Sequence, residues 1–99
     1  MTMEKKMNGT ELEIALEGRL DTMTAPELEA ELNQSMAGAE SLTLDFTKLE
    51  YISSAGLRAL LAAHKEMSGK GGMKIIHVNE IVQEVFQVTG FADILNIEQ

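Results

Sequence analysis

Residues 42–78 read LTLDFTKLEYISSAGLRALLAAHKEMSGKGGMKIIHV, and this stretch decides the fold. It opens with Leu42, Leu44 and Phe46 alternating with Thr43 and Asp45, the period of two that marks a strand with one buried face. Leu49, Tyr51 and Ile52 lead on to Ser53-Ser54, where the period changes. Leu57, Leu60, Leu61, His64 and Met67 then share one face of a helix, with Arg58, Lys65 and Glu66 elsewhere on it. Gly69, Gly71 and Gly72 form its exit turn, and Met73 to Val78 is a short, nearly continuous apolar strand of the kind found inside a sheet. A strand, a helix and a strand in this order imply parallel neighbours joined by a right-handed crossover.

Upstream, Asn8-Gly9 is a strong signal for a two-residue hairpin turn. Leu12, Ile14 and Leu16 alternate with Glu11, Glu13 and Glu17, a strand that Gly18 is expected to end. Arg19 to Thr24 reads as a loop. Thr24 is placed to cap a helix, with Pro26 in its first turn and Glu27 closing a capping box. Leu28, Leu32 and Met36 form that helix's apolar stripe, and Gly38 follows as a stop. Downstream, Asn79 caps a third helix with Val82, Val85 and Phe86 on its apolar face, and Thr89-Gly90 stops it. Phe91, Ile94 and Leu95 are expected to tuck onto the core, and Ile97 to add a last short strand. The expected fold is therefore α/β: a small mixed sheet of four to five strands, an opening antiparallel hairpin then parallel crossovers, with helices mainly on one face. The 99 residues form one domain in this reading, spanning 1–99.

Composition narrows the function. Sixteen acidic residues against eight basic ones give a net charge of −8, and the basic residues are scattered. Neutralising nucleic-acid phosphates needs clustered Lys and Arg, so no nucleic-acid partner is expected, and anionic membranes are disfavoured for the same reason. No apolar run approaches the ~20 residues that cross a bilayer, and the start MTMEKKM is not a signal peptide. With no cysteine there is no disulfide or thiolate metal site, and a cytoplasmic protein is expected.

Catalysis finds little support. A serine nucleophile needs a base within hydrogen-bond reach. His64 lies ten residues along the same expected helix from Ser54, roughly 15 Å at 1.5 Å per residue. His77 has nothing in the sequence to bring it near. Two histidines and no cysteine do not make a zinc site, so no metal, cofactor or catalytic residue is assigned. Asp21, in a loop, and Asp45, near a strand end, could rim a site at the end of the sheet, or simply cap and stabilise loops. The serine pair reads in two ways on the residues alone. It caps a helix, or it sits where a phosphate would meet the positive end of a helix dipole.

The stretch from Asp45 through Ser53-Ser54-Ala55-Gly56-Leu57-Arg58 to Leu61 resembles the signature of the STAS domain, and the chain is similar to its free-standing anti-sigma factor antagonists. Glu17 to Asp21 followed by Thr24 to Leu28, the glycine-rich turn before Met73, and Val85 to Phe91 agree with that resemblance. It implies a protein whose unphosphorylated form binds an anti-sigma factor serine kinase and so releases the sigma factor. The kinase phosphorylates a serine two residues before the motif glycine, and a PP2C-type phosphatase reverses this. Carried onto this chain, the acceptor is Ser54, with Ser53 as second choice. The implied partner-binding residues are Asp21, Asp45, Ser53, Ser54, Ala55, Gly56, Leu57 and Arg58. The family's usual Asp before the acceptor is Ser53 here, and Ala55 replaces the hydroxyl residue after it. The alternative is a STAS module in another phosphorylation-controlled signalling or transport complex, including one that binds a nucleotide.

Overall fold

Alternation in the first twenty residues becomes a hairpin in the computed structural model, which describes residues 1–98. Strand β1 (Thr2–Asn8) pairs antiparallel with β2 (Glu11–Leu20) through a turn at Gly9, whose φ of +64° suits glycine. Chain order then gives α1 (Ala25–Ser35), β3 (Ser41–Ile52), α2 (Ser54–Met67), β4 (Met73–Ile76), α3 (Glu80–Thr89) and β5 (Ile97–Glu98). The five strands lie in sequential order, β1-β2-β3-β4-β5, and every pair after the hairpin is parallel. This is the mixed sheet expected from the sequence.

The period-two pattern sets which face is covered. Leu12, Ile14 and Leu16 of β2 and Leu42, Leu44 and Phe46 of β3 are buried against Leu28 and Leu32 of α1, Leu57 and Leu60 of α2, and Val82 and Phe86 of α3. The rings of Phe46 and Phe86 stack with centroids 6.5 Å apart, seating α3 over β3. All three helices therefore cover one face. The opposite face carries Glu4, Glu13, Ala15, Asp45 and Lys74, the alternate residues of the same strands.

Several local expectations are corrected. Gly18 does not end β2. It adopts φ +106° inside the strand, and β2 runs on to Leu20 with register shifts against β3 on either side of it. Arg19 and Leu20 are thus strand residues, paired with Tyr51 and Ile52. The same irregularities keep β3 going to Ile52, seven residues past Asp45, which therefore sits mid-strand and not near its end. Met36 lies outside α1, in a short 3-10 turn (Met36–Gly38). Strand β4 stops at Ile76, two residues early, because His77 takes the left-handed conformation at φ +61°. Leu61 and His64 are only partly buried; the sheet-facing side of α2 is completed by Gly56, Ala59 and Ala63. Ile94 stays 47% exposed, while Leu95 beside it is buried. The Asn79 cap holds: its side-chain oxygen accepts from the Val82 N–H at 2.8 Å, and its amide donates to Leu49 O.

Candidate partner-binding site

The C-terminal ends of β2 and β3 meet at one hydrogen bond. The Ser53 N–H donates to Leu20 O at 2.9 Å, so the turn after β2 and the start of α2 are held side by side. Leu20 leads directly to Asp21, and Ser53 directly to Ser54.

Gly56 lets α2 begin this close to the sheet. A Cβ at this position would lie 2.8 Å from Ile52 Cγ1 and Leu20 Cγ and 3.0 Å from Leu20 O. No side chain fits there, which is a packing reason for glycine in a helix's first turn. Residue 53 is the N-cap, and Ser54 is the first helical residue. Of the serine pair expected to cap the helix, Ser53 and not Ser54 stands at the cap position. Ser53 makes no side-chain cap hydrogen bond, and its Oγ is buried without a partner. Ser54 is exposed. Arg58, one turn on at i+4, is exposed on the same side of the helix, whereas Gly56 and Leu57 are buried and Ala55 is half-buried. The first turn of α2 contains no acidic residue to offset the positive end of its dipole.

The turn after β2 is a tight polar knot. Asp21 Oδ1 accepts from the backbone N–H of Met23 at 3.0 Å and of Thr24 at 3.1 Å. Thr24 Oγ1 donates to Arg19 O at 2.7 Å and accepts from the Asp21 N–H at 2.8 Å. Thr24 does stand at the N-cap of α1, but its hydroxyl is committed to this knot and makes no cap bond, and the expected capping box with Glu27 does not form. Partial desolvation opposes ionisation of Asp21. The N–H and hydroxyl of Thr24, the N–H of Met23 and the Arg19 guanidinium outweigh it, holding the carboxyl below the usual carboxylate range. Arg19 Nε lies 3.8 Å from Asp21 Oδ2, and the guanidinium rests 4.5 Å over the Tyr51 ring.

The structure thus brings Asp21, Ser53, Ser54, Gly56 and Arg58 to one end of the sheet. It leaves Asp45 apart. Asp45 pairs with Ala15 and Ile52 with Leu20, so five β2 residues, roughly 16 Å at ~3.3 Å each, separate the two levels. Its carboxylate accepts from Thr47 N–H and hydroxyl, and it lines a cleft of about 250 Å³ on the uncovered face with Thr2, Glu4 and Lys48. Arg19 and Met23 belong to the Ser54 end and escaped the sequence reading. Arg19 was hidden by the expectation of a loop, and an exposed methionine has no sequence signal. Among the described residues no group of His, Asp and Glu is arranged to hold a metal ion, and no helix is long and apolar enough to cross a membrane.

Residues 3–96 match the family model described as "Mlab, STAS domain". The chain belongs to the STAS domain family. BtrV of Bordetella bronchiseptica, provisionally named an anti-sigma factor antagonist, is 35% identical over 99 residues, covering 98% of this chain and 84% of BtrV. Among solved structures, an anti-sigma factor antagonist from Mycobacterium paratuberculosis superposes with a TM-score of 0.88 at 21% identity, covering 97% of this chain and 83% of that one. The Bacillus cell fate determinant SpoIIAA in its phosphorylated form gives a TM-score of 0.75 at 18% identity, covering 99% and 92%. Curated relatives of this STAS domain are named anti-sigma factor antagonists, and the structural likenesses establish the same fold.

Proposed function

We propose that this STAS domain is a phosphorylation-switched anti-sigma factor antagonist acting in the cytoplasm. Its unphosphorylated form binds an anti-sigma factor serine kinase and releases the sigma factor. The kinase moves the γ-phosphoryl group of ATP to Ser54 Oγ, leaving ADP, and the product no longer binds. A PP2C-type phosphatase restores the free hydroxyl. The observation that carries this reading is the contrast within the serine pair: Ser54 is exposed on the first turn of α2, and the Ser53 hydroxyl is buried.

The switch follows from the local charges. A phosphate adds about −1.5 to −2 charge at pH 7. On the first turn of a helix it meets orphan amides and the positive end of the dipole, so the folded state tolerates it. A partner surface shaped for a hydroxyl must instead desolvate a dianion. Imperfect compensation of a buried charge costs several kcal/mol, and ~3 kcal/mol is already about a hundredfold in affinity. The proposed contact surface comprises Ser54, Arg58 and the Asp21 turn; Asp45 lies outside it.

Mass spectrometry after incubation with the kinase and ATP should localise phosphate to Ser54. In calorimetric titration Ser54→Asp should bind the kinase about a hundredfold more weakly while melting near the wild type. Ser54→Ala should bind and resist phosphorylation. Loss of binding by Ser54→Asp through unfolding would replace the electrostatic account with a conformational one.

A further inference from the structure

Met23 is the most exposed large apolar side chain of the described residues, at 82%. The others above 45% are Met7 on β1, Ile81 and Val88 on α3, and Ile94 after it, none of them in the β2–α1 turn. Isolated apolar residues on a surface are ordinary, so exposure alone says little. What sets Met23 apart is how it is held. Its own N–H is fixed to Asp21 Oδ1, the next N–H to the same oxygen, and Thr24 Oγ1 ties the turn back to Arg19 O. The backbone beneath this side chain is bonded on both sides, so burying it in a partner requires little further ordering of the chain. An unbranched, polarisable thioether also adapts to irregular sockets.

Position supplies the second argument. Met23 is three residues past Leu20, and Ser54 is one residue past Ser53, with Leu20 and Ser53 joined by a hydrogen bond. An ordinary interface of about 800 Å² per partner is roughly 30 Å across, so a partner centred on Ser54 reaches the adjoining turn that carries Met23. We propose that Met23 is the apolar anchor of the partner interface, supplying affinity that Ser54 then switches. This rests on the antagonist reading above. The partner should present an apolar socket for Met23, rimmed by polar groups of both signs to face Asp21, Arg19 and Arg58.

The test is calorimetric titration of the full chain with the anti-sigma factor kinase of the same organism, with a thermal melt of every variant. Met23→Ala should weaken binding by roughly tenfold or more, as a truncated interface anchor does. Met23→Leu, which keeps the apolar volume, should stay within about threefold. Val88→Asp, on α3, should bind like wild type. All three should melt within a few degrees of wild type because neither residue is buried. In a phosphorylation assay Met23→Ala should raise KM and leave kcat unchanged, since it removes uniform binding. Wild-type binding with Met23→Ala equally tight overturns the anchor and leaves the antagonist reading standing. Binding lost in Val88→Asp but kept in Met23→Ala moves the interface to α3 and overturns the anchor. A folded wild type that binds no kinase ends the antagonist reading and the anchor with it.

Discussion

Replacing Gly56 with alanine tests whether α2 is pressed onto the strand ends. In an exposed helix interior this change stabilises by at most about 1 kcal/mol, because alanine has the better helix propensity. Here the added methyl meets Leu20 Cγ and Ile52 Cγ1 at 2.8 Å and Leu20 O at 3.0 Å. Both Leu20 and Ile52 are fully buried, and Leu20 O is already held by the Ser53 N–H, so none of the three contacts can swing aside freely. Overpacking of this kind typically costs 1–3 kcal/mol. After the propensity gain the net loss should be about 1–2 kcal/mol. For a chain of this size that is a fall in Tm of roughly 5–15 °C. Urea titration should show a lower midpoint with an unchanged m-value. The helix start must also shift outward by a few tenths of an ångström or more, so kinase binding should weaken beyond what the lost stability explains. A Gly56→Ala protein that melts at or above the wild-type temperature would refute the close approach, and with it the account of how Ser54 is positioned.

Two further predictions concern the same end of the sheet. Ser53→Ala should not destabilise and should gain up to about 1 kcal/mol, against the ~1 kcal/mol a working N-cap loses, because the hydroxyl makes no cap bond and is buried without a partner. A urea midpoint lowered by a full cap's worth would show that the hydroxyl is engaged after all. Acid should loosen the fold through Asp21 and Glu31. Both carboxyls are held below their usual values, Glu31 by the Ser35 hydroxyl and then by Lys5. A depressed folded pKa gives stability that is present above the unfolded pKa and lost as pH falls through the folded one, so the loss belongs below about pH 4–5. Asp21→Asn keeps an acceptor for the Met23 and Thr24 amides but cannot titrate, so its Tm should fall less steeply between pH 5 and 2. Identical acid limbs would remove Asp21 from the account.

What the sequence revealed and what it hid divide along a physical line. Features carried by repetition were legible. Leu12-Ile14-Leu16 and Leu42-Leu44-Phe46 had one way to be buried, and the glycine turns and Asn79 punctuated the helices that cross between strands. Features decided by competition for a single hydrogen bond were not. Thr24 looks like a cap to any local rule, and only the fold shows that Asp21 N–H and Arg19 O claim its hydroxyl first. The length of β3 was hidden because its bulges break the alternation after Phe46, which made Asp45 look terminal. Likewise His77 gives no warning that its backbone will turn left-handed and stop β4. The motif segment pointed to the start of α2, where Ser54 is the first helical residue. It could not distinguish the exposed hydroxyl from the buried one beside it, because that depends on how far α2 leans onto Leu20.

That lean bears on the proposed switch, favouring an effect of charge over a change of shape. The tethers at the site are the Ser53 N–H to Leu20 O and the Asp21–Thr24 knot, and neither uses the Ser54 side chain. A phosphate on Ser54 therefore has no native hydrogen bond to break. A conformational response would require two packings of this end that differ in their affinity for the phosphate. Gly56, packed so closely on Leu20 and Ile52 that not even a Cβ would fit, leaves little room for a second one. With the backbone fixed, the proposed modification would change only the charge and bulk of one exposed side chain, at the proposed contact surface. The energy of the switch then resides almost wholly in the complex. The phosphorylated chain should remain as stable as its precursor while its affinity for the kinase falls by orders of magnitude.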